Sequence, residues 1–314
     1  MLTLLVFAAC FGADGAGDTL ARQEIRIRDP FVLPARAEGR YYLYGTGRPL
    51  GELGFDAYHS EDLEHWHGPF PVMRPPEGFW AGRQFWAPEV HEWRGKYYLF
   101  ATFARAYPVR GTQICVSDSP RGPFKPLGDG PQTPRDWQCL DGTLYVDPEG
   151  RPWMVFCHEW TQVEDGEICA VRLSDDLSKS VGEPRVLFHA SAVPWGGVSK
   201  HKRFEGRVTD GPWLHRLSSG ALILLWSTFN KKLDYCVAIA RSETGKVTGP
   251  WKHAPEPFLQ DDGGHPMLFR TFGGTLMLSI HGPNKSGRER ARFIPVTEAQ
   301  LEAGKMAAGK DTGR

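Results

Sequence analysis

Short apolar runs bounded by polar turns recur along this chain at wide, similar intervals. Tyr41-Tyr42-Leu43-Tyr44, Tyr97-Tyr98-Leu99-Phe100, Trp153-Met154-Val155-Phe156 and Leu222-Ile223-Leu224-Leu225-Trp226 are four of them. Each is too short for a helix and lies between turn residues, so each reads as a buried β-strand. Each follows a turn that carries glycine, at Gly39, Gly95, Gly150 and Gly220. Glycine reaches positive φ without a Cβ clash, which tight strand connections require. A serine-acid turn follows each unit, at Ser60-Glu61, Ser117-Asp118, Ser174-Asp175 and Ser242-Glu243. No stretch ahead of the last twenty residues carries convincing helical periodicity. Thr297-Glu298-Ala299-Gln300 reads as a capping box opening a short terminal helix, with a frayed end beyond it.

The unit that repeats is larger than one hairpin. An acid-bearing loop leads into a strand, a glycine turn, an aromatic strand and the serine-acid turn. The copies begin near Asp29-Pro30, Pro88-Glu89, Asp141-Gly142, Asp210-Gly211 and, in a shorter fifth version, Gly264-His265. Their spacing runs to roughly 50–70 residues, the scale of a radial array whose units bury their faces only against one another. The expectation is an all-β, five-bladed β-propeller with four-stranded antiparallel blades over residues 21–314. Aligning the copies places Asp29, Glu89, Asp141, Asp210 and His265 at one phase. Side chains at one phase of such an array converge on its axis. Long connections at residues 48–55, 73–84 and 191–207 are candidates for walls of a site.

Composition removes several function classes. The chain of 314 residues holds 37 Lys+Arg against 37 Asp+Glu, and no long basic run suggests nucleic acid. The apolar stretch Leu2-Thr3-Leu4-Leu5-Val6-Phe7-Ala8-Ala9-Cys10 is too short to span a bilayer and resembles an export signal over residues 1–20. It lacks a basic start. Phe7-Ala8-Ala9-Cys10 also resembles a lipoprotein cleavage box, with Cys10 as the lipid anchor, and a buried N-terminal strand is the alternative. The protein is thus expected to be exported: periplasmic, secreted or lipid-anchored. The five remaining cysteines are dispersed and read as small core residues, with a Cys157–Cys169 cross-strand pair as a minor alternative.

Chemistry enters with the acids. Inner strands of a propeller all begin at the same mouth, so Asp29, Asp141 and Asp210 should face one another across a pocket. Like charges at low dielectric raise one another's pKa, a stability cost that points to function. Carboxylates set apart around a pocket suit glycoside hydrolysis, one activating water and one protonating the leaving oxygen. Arg28-Asp29-Pro30, Phe85-Trp86-Ala87-Pro88-Glu89, Leu140-Asp141-Gly142, Asp210-Gly211-Pro212 and Gly264-His265 together resemble the motifs of glycoside hydrolase family 43. The resemblance runs from about Ile25 to Pro295. It implies Asp29 as general base, Asp141 as pKa modulator, Trp86 and Glu89 as substrate contacts, and an arabinofuranosidase-, xylosidase- or arabinanase-like activity on plant-type polysaccharide or oligosaccharide, without a required cofactor. His265 would face the central channel, where calcium is a further expectation. The fourth motif departs from the family by carrying Asp210 in place of Glu. The acid is therefore open between Asp210 and Glu159, with Glu205 behind them. A carbohydrate-binding propeller without catalysis is the competing reading. A β-fructosidase-like propeller is disfavoured, since the chain lacks an Asn-Asp-Pro-Asn opening.

Overall fold

The structure, a computed structural model, describes residues 19–47, 51, 53–105 and 109–306. Residues 1–18 of the expected leader, with Cys10, lie outside the described residues, as does the end expected to fray. Thr19–Ala21 is an edge strand on the first blade, paired with the strand His65–Met73.

Five antiparallel sheets follow one another in chain order. From the axis outward the first holds Arg28–Ala35, Arg40–Thr46, Phe55–Ser60 and His65–Met73, with Thr19–Ala21 outside them. The second holds Arg83–Trp93, Lys96–Ala104, Arg110–Ser117 and Lys125–Pro126. The third holds Cys139–Val146, Pro152–His158, Glu167–Leu173 and Ser180–His189. The fourth holds Asp210–Arg216, Leu222–Phe229, Tyr235–Ser242 and Trp251–His253, and Leu259–Gln260 also pairs with Tyr235–Ser242. The fifth holds Gly264–Arg270, Leu276–Gly282 and Arg290–Pro295. The five-bladed propeller is as expected, with four strands in the main path of each of the first four blades, and extra strands on the first and fourth. The fifth blade has three strands and the first has five. Where the chain meets itself, Arg26 bridges to Arg290, the Ile27 N–H donates to the Glu289 carbonyl, and Arg28 pairs with Glu289 at 3.0 Å.

The second strands are continuous apolar runs because both of their faces are buried. Successive side chains point to opposite faces of a strand. Leu99 joins the core shared with the first blade, and Phe100 the core shared with the third. Val155 and Phe156 divide in the same way, as do Leu224 and Leu225. The turn glycines have positive φ, from 64° at Gly39 to 85° at Gly220. A Cβ there would meet nothing nearby, so conformation and not space selects glycine. The terminal helix is Glu298–Ala303, with the Thr297/Gln300 capping box formed. Cys157 and Cys169 are not a pair. Cys157 stands opposite Ile168 and Cys169 opposite Phe156, so their side chains leave opposite faces of the sheet, and both are free and buried.

Two features lay beyond the sequence reading. A single helical turn, Trp160–Val163, follows the second strand of the third blade. The long connection at 191–207 folds into a hairpin, Ser199–His201 against Phe204–Gly206.

Candidate active site

Each inner strand loses register at the same place. In the first blade Arg28 pairs with Thr46 but Phe31 with Tyr44; in the third Leu140 pairs with Cys157 but Thr143 with Val155. The second, fourth and fifth blades repeat the slip between Trp86 and Glu89, Asp210 and Trp213, and Gly264 and Met267. This is a β-bulge, which bends a strand and re-aims a side chain. Its first residue is left-handed in every blade: Asp29 (φ 51°), Ala87 (45°), Asp141 (55°), Gly211 (48°) and His265 (58°). Its second residue is Pro30, Pro88, Gly142, Pro212 or Pro266. Proline has no N–H to leave unpaired in a bulge. Gly142, the exception, donates to Thr112 Oγ1 at 3.0 Å.

The N–H of each first bulge residue is met from the preceding blade. Ala87 donates to Thr46 Oγ1 (2.7 Å), Asp141 to Thr102 Oγ1 (2.9 Å), His265 to Ser227 Oγ (2.8 Å) and Asp29 to His281 Nδ1 (3.2 Å). Cys157 occupies the corresponding place ahead of the fourth blade. Gly211 N–H instead donates to Asp141 Oδ2 at 3.1 Å. The bulges correct the sequence alignment. Ala87, not Glu89, is the counterpart of Asp29 and Asp141, and Asp210 sits one residue ahead of its counterpart, Gly211.

Asp29, Asp141, Asp210, Glu159, His265 and Trp86 all line one cavity of about 680 Å³, with Arg28, Thr46, Trp160 and Tyr235 among the other walls. Glu89 does not line it. It lies farther along its strand, where Oε2 meets His91 Nε2 at 3.0 Å, and the His91 ring stacks on Trp213 in the shaft of the propeller. Glu205 sits on the hairpin, exposed, and pairs with Lys200 at 2.9 Å, so it has no place as the acid.

The three aspartates sit in different electrostatic surroundings. Asp29 accepts from Thr46 Oγ1 at 2.5 Å and faces His265 Nδ1 at 3.2 Å. Burial pushes its carboxyl up, but His265, Arg28 and the Thr46 hydroxyl more than offset this and hold it below its ordinary range. Asp210 is half-buried among like charges. Burial, Asp141 and Glu159 push it up to about 8, against the Tyr235 hydroxyl, which donates to Oδ2 at 3.0 Å. Asp141 lies between, raised to about 6 by burial and by Asp29, with His265 and the Gly211 N–H acting against that. Burial also raises Glu159, while its ion pair with Arg110 pulls it down. Burial disfavours the charged form of His265, but Asp29, Asp141 and Glu89 raise its pKa overall. His281 accepts the Asp29 N–H and is pushed down to about 4, chiefly by burial.

Sequence reasoning missed Arg28, Thr46, Tyr235, His281 and Arg110. Arg28 adjoins a motif and was legible in principle. The others lie on second and third strands, where only the register shows which side chain reaches the mouth.

Among the described residues no group of three or more His, Cys, Asp or Glu could hold a metal. Calcium takes oxygen ligands, and those beside His265 are engaged: Asp29 by Thr46 and His265, Asp141 by Gly211. A calcium beside His265, as expected from the sequence, would have to take most of its shell from water.

Comparisons with known proteins agree on one family. The model described as "Glycosyl hydrolases family 43" matches residues 23–300. The chain is 24% identical over 254 residues to "Extracellular endo-alpha-(1->5)-L-arabinanase 1" of Bacillus subtilis, a match spanning 76% of this chain and 71% of the relative. It is 27% identical over 191 residues to "Xylosidase/arabinosidase" of Bacteroides ovatus, spanning 54% of this chain and 56% of the relative. A solved endo-arabinase from Bacteroides thetaiotaomicron superposes with a TM-score of 0.86 at 43% identity, covering 91% of this chain and 99% of that one. A thermostable family-43 glycoside hydrolase superposes at 0.71 with 22% identity, covering 91% and 93%, a likeness of fold.

Proposed function

This chain belongs to family 43 of the glycosyl hydrolases, and from that premise we propose that it cleaves arabinofuranosyl linkages, or the related xylosyl ones, in plant-type oligosaccharide or polysaccharide with inversion at the anomeric carbon. The observation that carries this reading is that two carboxylates of one cavity have opposite neighbours, His265, Arg28 and the Thr46 hydroxyl at Asp29 and the carboxylates Asp141 and Glu159 at Asp210. Asp29 is held ionised and Asp210 is held protonated at neutral pH, the states a general base and a general acid need.

Asp29 takes a proton from the attacking water. Asp210 gives its proton to the departing glycosidic oxygen while the Tyr235 hydroxyl holds Oδ2. Asp141 acts on the acid in two ways. Its charge raises Asp210, and its Oδ2 accepts the N–H of Gly211, the next residue along, which fixes the backbone that presents the acid. Trp86 and Trp160 supply apolar walls for sugar faces. Inversion calls for base and acid carboxyls roughly 6.5–9.5 Å apart, with room for water. Glu159 serves as an ionic partner of Arg110 and not as the acid. The apolar N-terminal stretch and the extracellular relative support export as the location.

The first-formed anomer, followed by proton NMR, tests inversion; a retained anomer counts against Asp29 as base. A second measurement decides the acid. Asp210→Ala should slow natural glycosides by about 10²–10⁴-fold while sparing aryl glycosides with acidic phenols, because only a poor leaving group needs the proton. Glu159→Ala should slow both classes alike. The reverse pattern makes Glu159 the acid. A wild-type protein that binds oligosaccharide and turns over no glycoside hands the site to the binding-propeller reading.

A further inference from the structure

Two loops on one side of the cavity mouth carry an excess of positive charge that the proposed hydrolysis does not use. The hairpin Ser199–His201/Phe204–Gly206 contributes Lys200, Lys202 and Arg203 against Glu205. The neighbouring turn after Phe229 contributes Lys231 and Lys232 against Asp234. Five cations therefore face two carboxylates on a chain whose formal net charge is +0. Lys200 is taken by Glu205, and Asp234 by the Asn230 side chain. Among the described residues Lys202, Arg203, Lys231 and Lys232 pair with no carboxylate, and all four are exposed. The loops form one rim. Gly196 bridges to Asn230, and Gly197 N–H donates to the Phe229 carbonyl at 2.8 Å. A Cβ on Gly197 would come within 2.2 Å of the Asn230 carbonyl, so only glycine permits this approach. Lys200, His201 and Leu233 line the cavity itself, which puts the charge at its entrance.

We propose that this rim binds anionic substituents on the glycan, so that the enzyme prefers substrates bearing uronate carboxylates or sulfate esters beside the cleaved unit. The proposal rests on the cavity being the glycan-cleaving site. The floor of that cavity is acidic and repels an anion, so an anionic group is favoured only at the rim, where the cations stand. Exposed cations act through long-range attraction that salt screens.

The experiment uses three matched oligosaccharides: neutral, uronate-bearing and sulfated. The value of kcat/KM is read at about 20 mM and about 500 mM salt, across which the screening length falls severalfold. An anionic-to-neutral preference of about tenfold at low salt, collapsing towards one at high salt, is expected, as for charge-steered encounter. In Lys202→Ser/Lys231→Ser/Lys232→Ser the preference should fall to near one at low salt, with circular dichroism confirming the fold. The uronate and sulfate arms identify which anion is read. A wild-type preference at or below one overturns the proposal, as does an unchanged preference in the triple variant. So does a rate that falls equally on all three substrates, because the cations would then serve the acidic floor. Calorimetric binding of the same oligosaccharides to Asp29→Asn runs in parallel. If no glycoside is turned over, the hydrolytic reading fails, and the ratio of these affinities still decides the rim.

Discussion

As the proposed acid, Asp210 has one methylene less than the glutamate of the family pattern, and its surroundings set how it holds its proton. Tyr235 reaches it from the third strand of its own blade, and that reach depends on Gly264. A Cβ on Gly264 would stand 2.3 Å from the Tyr235 ring. The Tyr235 hydroxyl stabilises the ionised form of Asp210 and so works against the burial that raises it. Activity is expected to decline as pH rises through about 8, where Asp210 loses the proton it donates. Removing the hydroxyl removes a stabiliser of the carboxylate, so in Tyr235→Phe that alkaline limb should move to higher pH. The plateau should drop severalfold because the acid loses its tether. A pH profile of kcat/KM checks both, and a limb that moves down in pH would show that Tyr235 does not act through Asp210.

At the scale of the element, the bulge is the device that builds the site. It turns the first residue into the left-handed region, where glycine is at ease and Asp is tolerated better than most residues. It then needs an acceptor for that residue's N–H from the preceding blade, supplied by Thr46, Thr102, Ser227 and His281. Catalytic geometry and blade-to-blade cohesion thus share the same hydrogen bonds. Thr102 is fully buried, and its Oγ1 is the acceptor for Asp141 N–H. Thr102→Val keeps the volume and leaves that donor unmet. It should destabilise the fold by about 1–3 kcal/mol in urea titration. It should also reduce turnover, since Asp141 would lose its anchor. Unaltered stability would mean that the N–H finds another partner.

Across the whole molecule, the site is held against its own electrostatics. Asp210 keeps its proton up to about 8 when folded, whereas an unfolded aspartate releases it near the ordinary value of 3.8. Between those two values the unfolded chain binds fewer protons than the folded one, so this group makes stability fall as pH rises. Its contribution is least unfavourable below the lower value and is worst above the upper one. Asp210→Asn removes the ionisation and keeps the shape. That variant should melt a few degrees above wild type at neutral pH, with the gap widening from pH 6 to pH 8. Asp29→Asn should do the opposite, because the ionised Asp29 is favoured by His265, Arg28 and Thr46. Thermal melts of both variants across pH check the pair of signs. Equal effects would show that the two carboxylates are not held in different states.

The sequence alone determined the architecture and the inventory of acids. Apolar runs buried on both faces, glycine at each hairpin turn and a repeat of about fifty residues leave few folds besides a radial array, because each sheet needs its neighbours to cover it. Asp29 and Asp141 were legible for the same reason, since phase in a repeat translates into position around an axis, whereas Asp210 stands one residue ahead of that phase and still lines the cavity. Tertiary structure decided what periodicity does not encode. The inner strand of the second blade slips register twice, so Ala87 replaced Glu89 at the shared position and Glu89 turned into the shaft with His91. The split of charge among three like residues came from partners far off in the chain: His265 and Arg28 for Asp29, Tyr235 and Asp141 for Asp210. Sequence names the ionisable groups, but a pKa depends on distance and burial, and those exist only once the blades have closed into a ring.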